Sequence, residues 1–191
     1  MDPSVPRFWF DYVDPWSFLM ELRLREVEAE IGVRVSRAGV EIVPPPAPLI
    51  RGDDPIWAER WERASREAGD MGLELARPGT IPWTRKAHEM AVHSVASGLA
   101  MEFNDAVFRA HHIDGGDIGR IDVLVAIGAR IGLDPGEART ALGVDRYLEE
   151  VRSFGESAER DGVRGVPTLA LGERRLEGLQ RIEAIAGFLV G

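Results

Sequence analysis

The sequence of 191 residues contains no cysteine. A chain without thiols can form no structural disulfide, offers no thiolate to a metal ion and has no cysteine nucleophile. Histidine is also scarce: the four residues are His88, His93, His111 and His112. Adjacent residues of a helix point about 100° apart, so His111 and His112 cannot hold one ion together. We therefore expect no metal site, and we interpret His88 and His93 as core or interface histidines.

The chain is also poor in basic residues and in long apolar runs. Lysine and arginine number 23 against 32 aspartate and glutamate residues, which gives a formal net charge of −9 at pH 7. Nucleic acids and anionic membranes require a basic surface, so neither is an expected partner. No stretch approaches the roughly 18 apolar residues of a membrane-spanning helix, and residues 1–7 lack a secretory pattern. We expect a cytoplasmic protein whose partner is a small-molecule substrate.

The N-terminal part of the sequence predicts a strand, a helix and a second strand. The aromatic and β-branched run from Phe8 to Val13 is typical of a buried strand. Asp14 and Pro15 have the chemistry of a helix N-cap and of the first helical position. A helix is predicted over 15–31, where a glycine follows it. Apolar residues then alternate in a second strand over 33–43.

The pattern becomes helical after about residue 54, and no convincing strand is found before residue 161. Glycines and prolines separate six predicted helices. These helices cover 55–69, 83–97, 99–112, 120–131, 135–142 and 145–161. Trp57 and Trp61 lie four residues apart, which favours a packed helix face over an aromatic binding box.

Strands return near the C-terminus of the chain. Two are predicted, over 166–171 and 174–176, with a turn between them. A final helix follows, and its apolar face consists of Leu179, Ile182, Ile185, Ala186 and Leu189. The order β-α-β, helices, β-β-α predicts an α/β domain made of residues 1–50 and 162–191. Residues 51–161 are predicted to form an inserted all-helical domain.

Two short segments, one near each end of the chain, carry a family resemblance. Residues 10–19 contain Asp14-Pro15-Trp16-Ser17 and resemble the active-site turn of DsbA-family proteins, where a strand leads into Cys-Pro-Trp-Cys at a helix start. Asp14 and Ser17 stand at the positions of the two cysteines. Gly162 to Thr168 resembles the loop that supplies the cis-proline beside the active site, here Pro167. The resemblance implies a thioredoxin fold with an inserted helical domain.

The missing cysteines limit what this resemblance implies for function. Neither aspartate nor serine can form a mixed disulfide, so thiol–disulfide exchange by residues of this chain is excluded. Kappa-class glutathione transferases and 2-hydroxychromene-2-carboxylate isomerases are similar to this family but lack its paired cysteines. They typically carry Ser-Pro-Tyr-Ser at the turn, and the first serine hydrogen-bonds the glutathione sulfur. The resemblance thus implies a glutathione-dependent isomerase or transferase that acts on a small aromatic or conjugated substrate.

Candidate site residues follow from the same resemblance. Asp14 and Ser17 are the candidate catalytic residues. The expected glutathione-binding residues are Pro15, Trp16, Val166, Pro167, Gln180 and Arg181. The helix N-terminus would attract the sulfur through its N–H groups and dipole. A cis bond before Pro167 would expose the backbone of Val166 to a peptide-like ligand. Gln180 and Arg181 stand where relatives hold the γ-glutamyl end of glutathione.

Asp14 stands where those relatives have a serine, and this difference leaves other functions open. A carboxylate within about 4 Å of a thiolate opposes its formation and raises the pKa of the thiol. Asp14 could instead serve as a general base in a reaction without a thiol, or it could merely cap the helix. Ser17 could be a solvated residue of the first turn, and Trp16 could pack in the core rather than stack on a substrate. The competing hypothesis is a non-catalytic binding module that keeps a peptide-like groove. Because related proteins are often dimers, a homodimer is a further expectation.

Overall fold

The computed structural model describes residues 4–191, and the chain divides into two compact units. The first unit comprises Met1–Ile42 with Phe154–Gly191, and the second comprises Val43–Ser153. The sequence placed these divisions later, after residues 50 and 161. The second division comes earlier because Phe154 and Ala158 pack with Trp9 of the first unit, although a single helix carries them across residue 153.

Fourteen helices and strands are present in residues 4–191. In chain order they are β1 (Arg7–Phe10), α1 (Pro15–Ile31), β2 (Ser36–Gly39), β3 (Ile50–Arg51), α2 (Pro55–Asp70), β4 (Thr80–Ile81), α3 (Arg85–Val95), α4 (Ala100–His112), α5 (Ile121–Arg130), α6 (Pro135–Gly143), α7 (Leu148–Arg160), β5 (Thr168–Leu171), β6 (Arg174–Glu177) and α8 (Ile182–Val190). No helix of this part of the chain combines the length and the apolar character needed to cross a bilayer.

The first unit is built on a four-stranded mixed sheet with the order β2-β1-β5-β6. Strand β1 runs parallel to β2, with Trp9 opposite Ala38, and antiparallel to β5, with Trp9 opposite Thr168. Strands β5 and β6 form an antiparallel pair. The β-α-β and β-β-α order with these pairings is the thioredoxin fold, which confirms the predicted fold class.

Large side chains of β1 form the core on both faces of the sheet. Trp9 packs with Ala38 and Ala170 of the neighbouring strands and with Ala158 of α7. Phe8 and Phe10 point to the opposite face, since side chains alternate along a strand, and their rings stack with centroids 5.6 Å apart. Phe8 and Trp9 are fully buried. Burial of each such side chain contributes about 1.5–3 kcal/mol, which fixes β1 as the central element of the sheet.

Helix α1 begins and ends where the sequence predicted. Asp14 is its N-cap, Pro15 is its first residue, and Gly32 closes it in the left-handed conformation at φ 71°. The N–H of Gly32 donates to the carbonyl of Glu28 at 3.0 Å. These signals are local, because a capping carboxylate, a proline and a glycine act within one turn of the helix end. The N-terminus of α1 is therefore held firmly at the end of the first loop after β1.

The second unit is mainly helical, as predicted, but it also contains one short strand pair that the sequence did not indicate. Strands β3 and β4 form a short antiparallel pair, in which Ile50 lies opposite Ile81 and Arg51 opposite Thr80. Each strand has only two residues, too few for an alternating pattern to be recognised. Helices α2–α6 and the start of α7 make up most of the unit, and Trp57 and Trp61 of α2 are buried.

Candidate functional site

Asp14 and Ser17, the predicted catalytic pair, are in direct contact at the start of α1. Oδ2 of Asp14 accepts hydrogen bonds from the backbone N–H of Ser17 at 2.9 Å and from its hydroxyl at 2.7 Å. Both side chains are fully buried. The carboxylate therefore caps the helix and holds the hydroxyl at the same time.

This contact determines what Ser17 can offer to a ligand. A hydroxyl group has one proton, and that of Ser17 is donated to Asp14. The oxygen of Ser17 also accepts a long bond of 3.5 Å from the N–H of Asp11. The hydroxyl can therefore donate to a bound sulfur only if its bond to Asp14 is given up. The prediction that Ser17 binds the sulfur stays a prediction.

A second buried carboxylate, which the sequence analysis missed, lies in the loop that precedes α1. Asp11 is fully buried, and its Oδ2 accepts a hydrogen bond from the N–H of Ile42 at 2.8 Å. The neighbouring Tyr12 is also fully buried, and burial raises the pKa of its hydroxyl, with further increases from the negative charges of Glu21 and Asp11. The loop into α1 is therefore acidic. Its signal in the sequence was a second aspartate at the end of the strand, three residues before the N-cap.

Among the first three residues of α1, the backbone N–H of Trp16 is the hydrogen-bond donor left for a ligand. Trp16 is half-buried and is the second residue of α1. Pro15 has no N–H, and the N–H of Ser17 is bound to Asp14. Within residues 4–191 no acceptor is hydrogen-bonded to the N–H of Trp16. Because the first N–H groups of a helix point outward with a partial positive charge, this N–H can receive an electron-rich ligand atom.

The predicted proline loop lies at the start of β5. The Val166–Pro167 peptide bond is cis, Val166 is half-buried and Pro167 is buried. The carbonyl of Pro167 accepts the N–H of Gly178 at 2.8 Å. The hydroxyl of Thr168 donates to the carbonyl of Gly165 at 2.7 Å. These bonds anchor the loop at both ends, and the pairing of Thr168 with Trp9 ties it to β1.

Gln180 and Arg181 precede α8 rather than opening it, because the helix begins at Ile182 with Arg181 as N-cap. The amide of Gln180 donates to the carbonyl of Glu177 at 2.6 Å, and Arg181 is exposed. Arg23 of α1 donates to the backbone carbonyl of Gln180 at 3.0 Å. The sequence analysis did not anticipate this bond, which joins α1 to the segment before α8.

A buried ion cluster, which the sequence analysis also missed, joins α1 to β2. The guanidinium of Arg37 bonds both carboxylate oxygens of Glu21, at 3.1 and 3.0 Å, and both of Glu28, at 2.7 and 2.7 Å. Burial raises the pKa of the Glu21 carboxyl, although Arg37 opposes that increase. Burial lowers the pKa of Arg37, but the two carboxylates outweigh this and raise it overall. Glu21 and Glu28 are seven residues apart, which places them on one helix face with Leu24 and was the available signal.

The histidines pack rather than gather at a site. His111 and His112 end α4 and are buried, and the ring of His112 stacks on Trp61 with centroids 5.3 Å apart. His93 is buried and its Nδ1 lies 3.3 Å from the hydroxyl of Tyr147. In the part of the chain that the structure describes, no three histidine, aspartate or glutamate side chains form a metal-binding group.

Comparisons with known proteins agree with this architecture. The chain is 26% identical to the uncharacterized protein YwbO of Bacillus subtilis over 177 residues, which is 90% of this chain and 88% of that protein. It superimposes on a 2-hydroxychromene-2-carboxylate isomerase with a TM-score of 0.81 and 20% identity, covering 97% of this chain and 94% of the isomerase. The cytosolic disulfide reductase DsbM of Pseudomonas aeruginosa, solved with glutathione, gives a TM-score of 0.69 at 19% identity, covering 97% and 96% of the two chains.

These two structural likenesses establish the fold but not an activity, because both identities are low. A family model extends the likeness to the sequence over nearly the whole chain, from residue 7 to residue 190. The match includes the loop with Asp14 and Ser17 as well as the proline loop at Pro167. The chain belongs to the DSBA-like thioredoxin domain family.

Proposed function

We propose that this protein is a glutathione-dependent isomerase or transferase that acts on a small aromatic or conjugated electrophile. The observation that carries the proposal is the contact between Asp14 and Ser17 at the helix N-terminus where the family has its two cysteines. The protein has no sulfur nucleophile of its own, so a thiol reaction requires that a ligand supply the sulfur. The glutathione-bound structure of the DsbM reductase supports glutathione as that ligand, and the name of the isomerase supports the class of reaction.

The start of α1 offers both an attractive and a basic group to a thiol. The N–H of Trp16 and the positive end of the helix dipole attract the sulfur. The carboxylate of Asp14 opposes a free thiolate but can accept the proton of a thiol. As the sulfur bonds to the electrophilic carbon, the double bond at that carbon opens, its electron pair moves onto the conjugated carbonyl group, and the thiol proton passes to Asp14. In a transfer the carbon–sulfur bond remains, and Asp14 gives the proton to the carbon that gained the electron pair. In an isomerisation the carbon–sulfur bond later breaks and Asp14 returns the proton to the sulfur, so glutathione is regenerated.

The remaining candidate residues suit the peptide part of glutathione. Val166 lies at the proline loop, where a peptide-like ligand would pair with its backbone. Arg181 is exposed, and its guanidinium is suited to a carboxylate of the γ-glutamyl group. Gln180 is positioned by Arg23 through its backbone carbonyl. The proposal includes a cytoplasmic location, where thiols are kept reduced, and a homodimer as the assembly.

Turnover in the presence and absence of reduced glutathione tests this proposal. The probe is 2-hydroxychromene-2-carboxylate, and its isomerisation is followed by absorbance. We expect turnover only with glutathione, and we expect Asp14→Asn to lower kcat by about a hundredfold or more because the general base is lost. Asp134→Asn is the matched control, since Asp134 caps α6 by the same bond, from the N–H of Glu137 at 2.7 Å. Turnover that is independent of glutathione, or unchanged in Asp14→Asn, would refute the proposed mechanism.

The burial of Asp14 and Ser17 favours a second candidate, the non-catalytic binding module. Both side chains are fully buried and bond to each other, which is what a purely structural cap requires. Such a module would bind glutathione or a similar peptide but would convert no electrophile. A saturable glutathione titration without turnover of any conjugated probe would favour this candidate over the enzyme.

A further inference from the structure

A small cavity in the second unit is not used by the proposed chemistry. Its volume is about 180 Å³. It is open to solvent, and the residues that line it are Leu49, Thr80, Pro82, Trp83, Asp117 and Arg120, with Gly119 between the last two. Apolar atoms make up most of its surface. The cavity is slightly larger than an engineered cavity of about 150 Å³ that holds benzene, so a single ring fits it.

The walls of this cavity are fixed in place. The indole N–H of Trp83 donates to the carbonyl of Ala47 at 3.0 Å, which sets the orientation of the ring. Gly119 packs so closely that an added Cβ would lie 2.8 Å from Cβ of Pro82. A side chain at this position would push the two segments apart. Trp83 and Leu49 remain 38% and 45% exposed, so an aromatic face and an aliphatic side chain are available to a ligand.

The charges around the cavity favour a cation over an anion. The guanidinium of Arg120 donates two hydrogen bonds to the carboxylate of Asp122, from Nε at 3.0 Å and from one terminal nitrogen at 2.8 Å. Its positive charge is therefore already paired. Asp117 uses Oδ1 to accept the N–H of Gly119 at 3.0 Å, and within residues 4–191 no hydrogen bond reaches its Oδ2. The negative charge of Asp117 also attracts Arg120, but Oδ2 of Asp117 is the carboxylate oxygen that a ligand in the cavity can reach as an acceptor.

We propose that this cavity binds a small arylalkylamine, an amine whose ammonium group is joined to a single aromatic ring by a short alkyl chain. The ring lies against Trp83 and Leu49, and the ammonium group donates to Asp117. Contact between two aromatic rings is favourable beyond the area that it buries, and a charge-assisted hydrogen bond to a carboxylate adds specificity. The formal net charge of −9 also favours the approach of a cation. This inference does not depend on glutathione chemistry.

Three probes of the same shape and different charge test the inference. 2-Phenylethylamine, 2-phenylethanol and phenylacetate share a ring and a two-carbon chain but are cationic, neutral and anionic near pH 7. Binding is measured without glutathione, by calorimetry and by the NMR shift of the Trp83 indole N–H. We expect the amine to bind about tenfold more tightly than phenylacetate, which is the size of effect that one charge-assisted contact gives at a partly exposed site. Absence of binding by the amine at millimolar concentration, or equal binding of amine and acid, would overturn the proposal.

Two pairs of variants locate the binding. Asp117→Asn should reduce the preference for the amine to about twofold, because the amide keeps an acceptor for the loop but has no charge. Asp114→Asn removes the same charge from the same loop without lining the cavity, and it should leave the preference unchanged. Trp83→Ala should abolish binding of all three probes, whereas Ile56→Ala, at another exposed apolar residue, should not. An equal loss in Asp117→Asn and Asp114→Asn would show a general charge effect and would contradict the assignment.

Discussion

Replacement of Asp14 by alanine should destabilise the protein more than the loss of an ordinary helix cap. The substitution removes the acceptor of the Ser17 N–H, which is worth about 0.5–2 kcal/mol as a cap. It also leaves the buried hydroxyl of Ser17 without its partner at 2.7 Å, and an unsatisfied buried group costs about 1–3 kcal/mol. The two effects together predict that Asp14→Ala lowers the free energy of unfolding by about 2–4 kcal/mol.

Two comparison variants separate these effects. Asp134→Ala removes an exposed cap with the same bond geometry and no buried hydroxyl, so we expect a loss of only about 1 kcal/mol. Asp14→Asn keeps a side-chain oxygen for the Ser17 N–H, and asparagine is as good an N-cap as aspartate, so its cost should be about 1 kcal/mol or less.

Equilibrium unfolding in urea, followed by far-ultraviolet circular dichroism, measures all three values. With a slope of about 2–3 kcal/mol/M, the midpoint of Asp14→Ala should fall by about 1 M. If Asp14→Ala proves no more destabilising than Asp134→Ala, the buried contact with Ser17 contributes nothing and this account of the turn is wrong.

The remaining predictions concern the buried ion cluster and one tightly packed glycine. Arg37→Met leaves the buried Glu21 and the half-buried Glu28 without their partner and should cost about 3–5 kcal/mol near neutral pH, measured as a shift of the urea midpoint. A loss below about 1 kcal/mol would contradict the buried pairing. Because burial raises the pKa of Glu21 above 4.5, its contribution to stability is greatest below pH 4.5 and is lost as the pH rises through the folded-state pKa. Glu21→Gln should therefore flatten the decline of the midpoint above pH 4.5, and an unchanged slope would contradict this. Gly119→Ala should lower the free energy of unfolding by about 1–3 kcal/mol through overpacking. Gly155→Ala, in a helix with open space around it, should raise it by about 0.5–1 kcal/mol, and equal effects of the two would refute the packing argument.

The fold was predictable where local signals determine it. Helix α1 matched its predicted range because Asp14, Pro15 and the following glycine specify both ends without help from distant residues. Strand β2 is shorter than predicted, because only Ser36–Gly39 finds a partner in β1, which has four residues. Strand β3 was missed because its pairing with β4 joins residues about thirty positions apart. No pattern within a short stretch of sequence indicates such a contact.

The residue positions of the candidate site could be predicted from the sequence, but the contacts between their side chains could not. The resemblance located Asp14 and Ser17, yet the bond between their side chains depends on rotamers that a sequence does not specify. The bond from Arg23 to the carbonyl of Gln180 joins two residues 157 positions apart in the chain. The Arg37 cluster was within reach of the sequence, because Glu21 and Glu28 share a helix face with apolar residues. Charged residues of a helix are usually interpreted as solvent-exposed, which is why the cluster was not predicted.

Calorimetric titration with reduced glutathione tests the central claim, that glutathione supplies the sulfur this chain lacks. The titration is performed near pH 7 and near pH 5, where carboxyl groups begin to protonate, and S-methylglutathione serves as the control without a thiol proton. We predict saturable binding of glutathione at pH 7, weaker binding of the S-methyl compound because it cannot donate to Asp14, and loss of binding in Arg181→Ala. No heat of binding at millimolar glutathione at either pH would contradict the account.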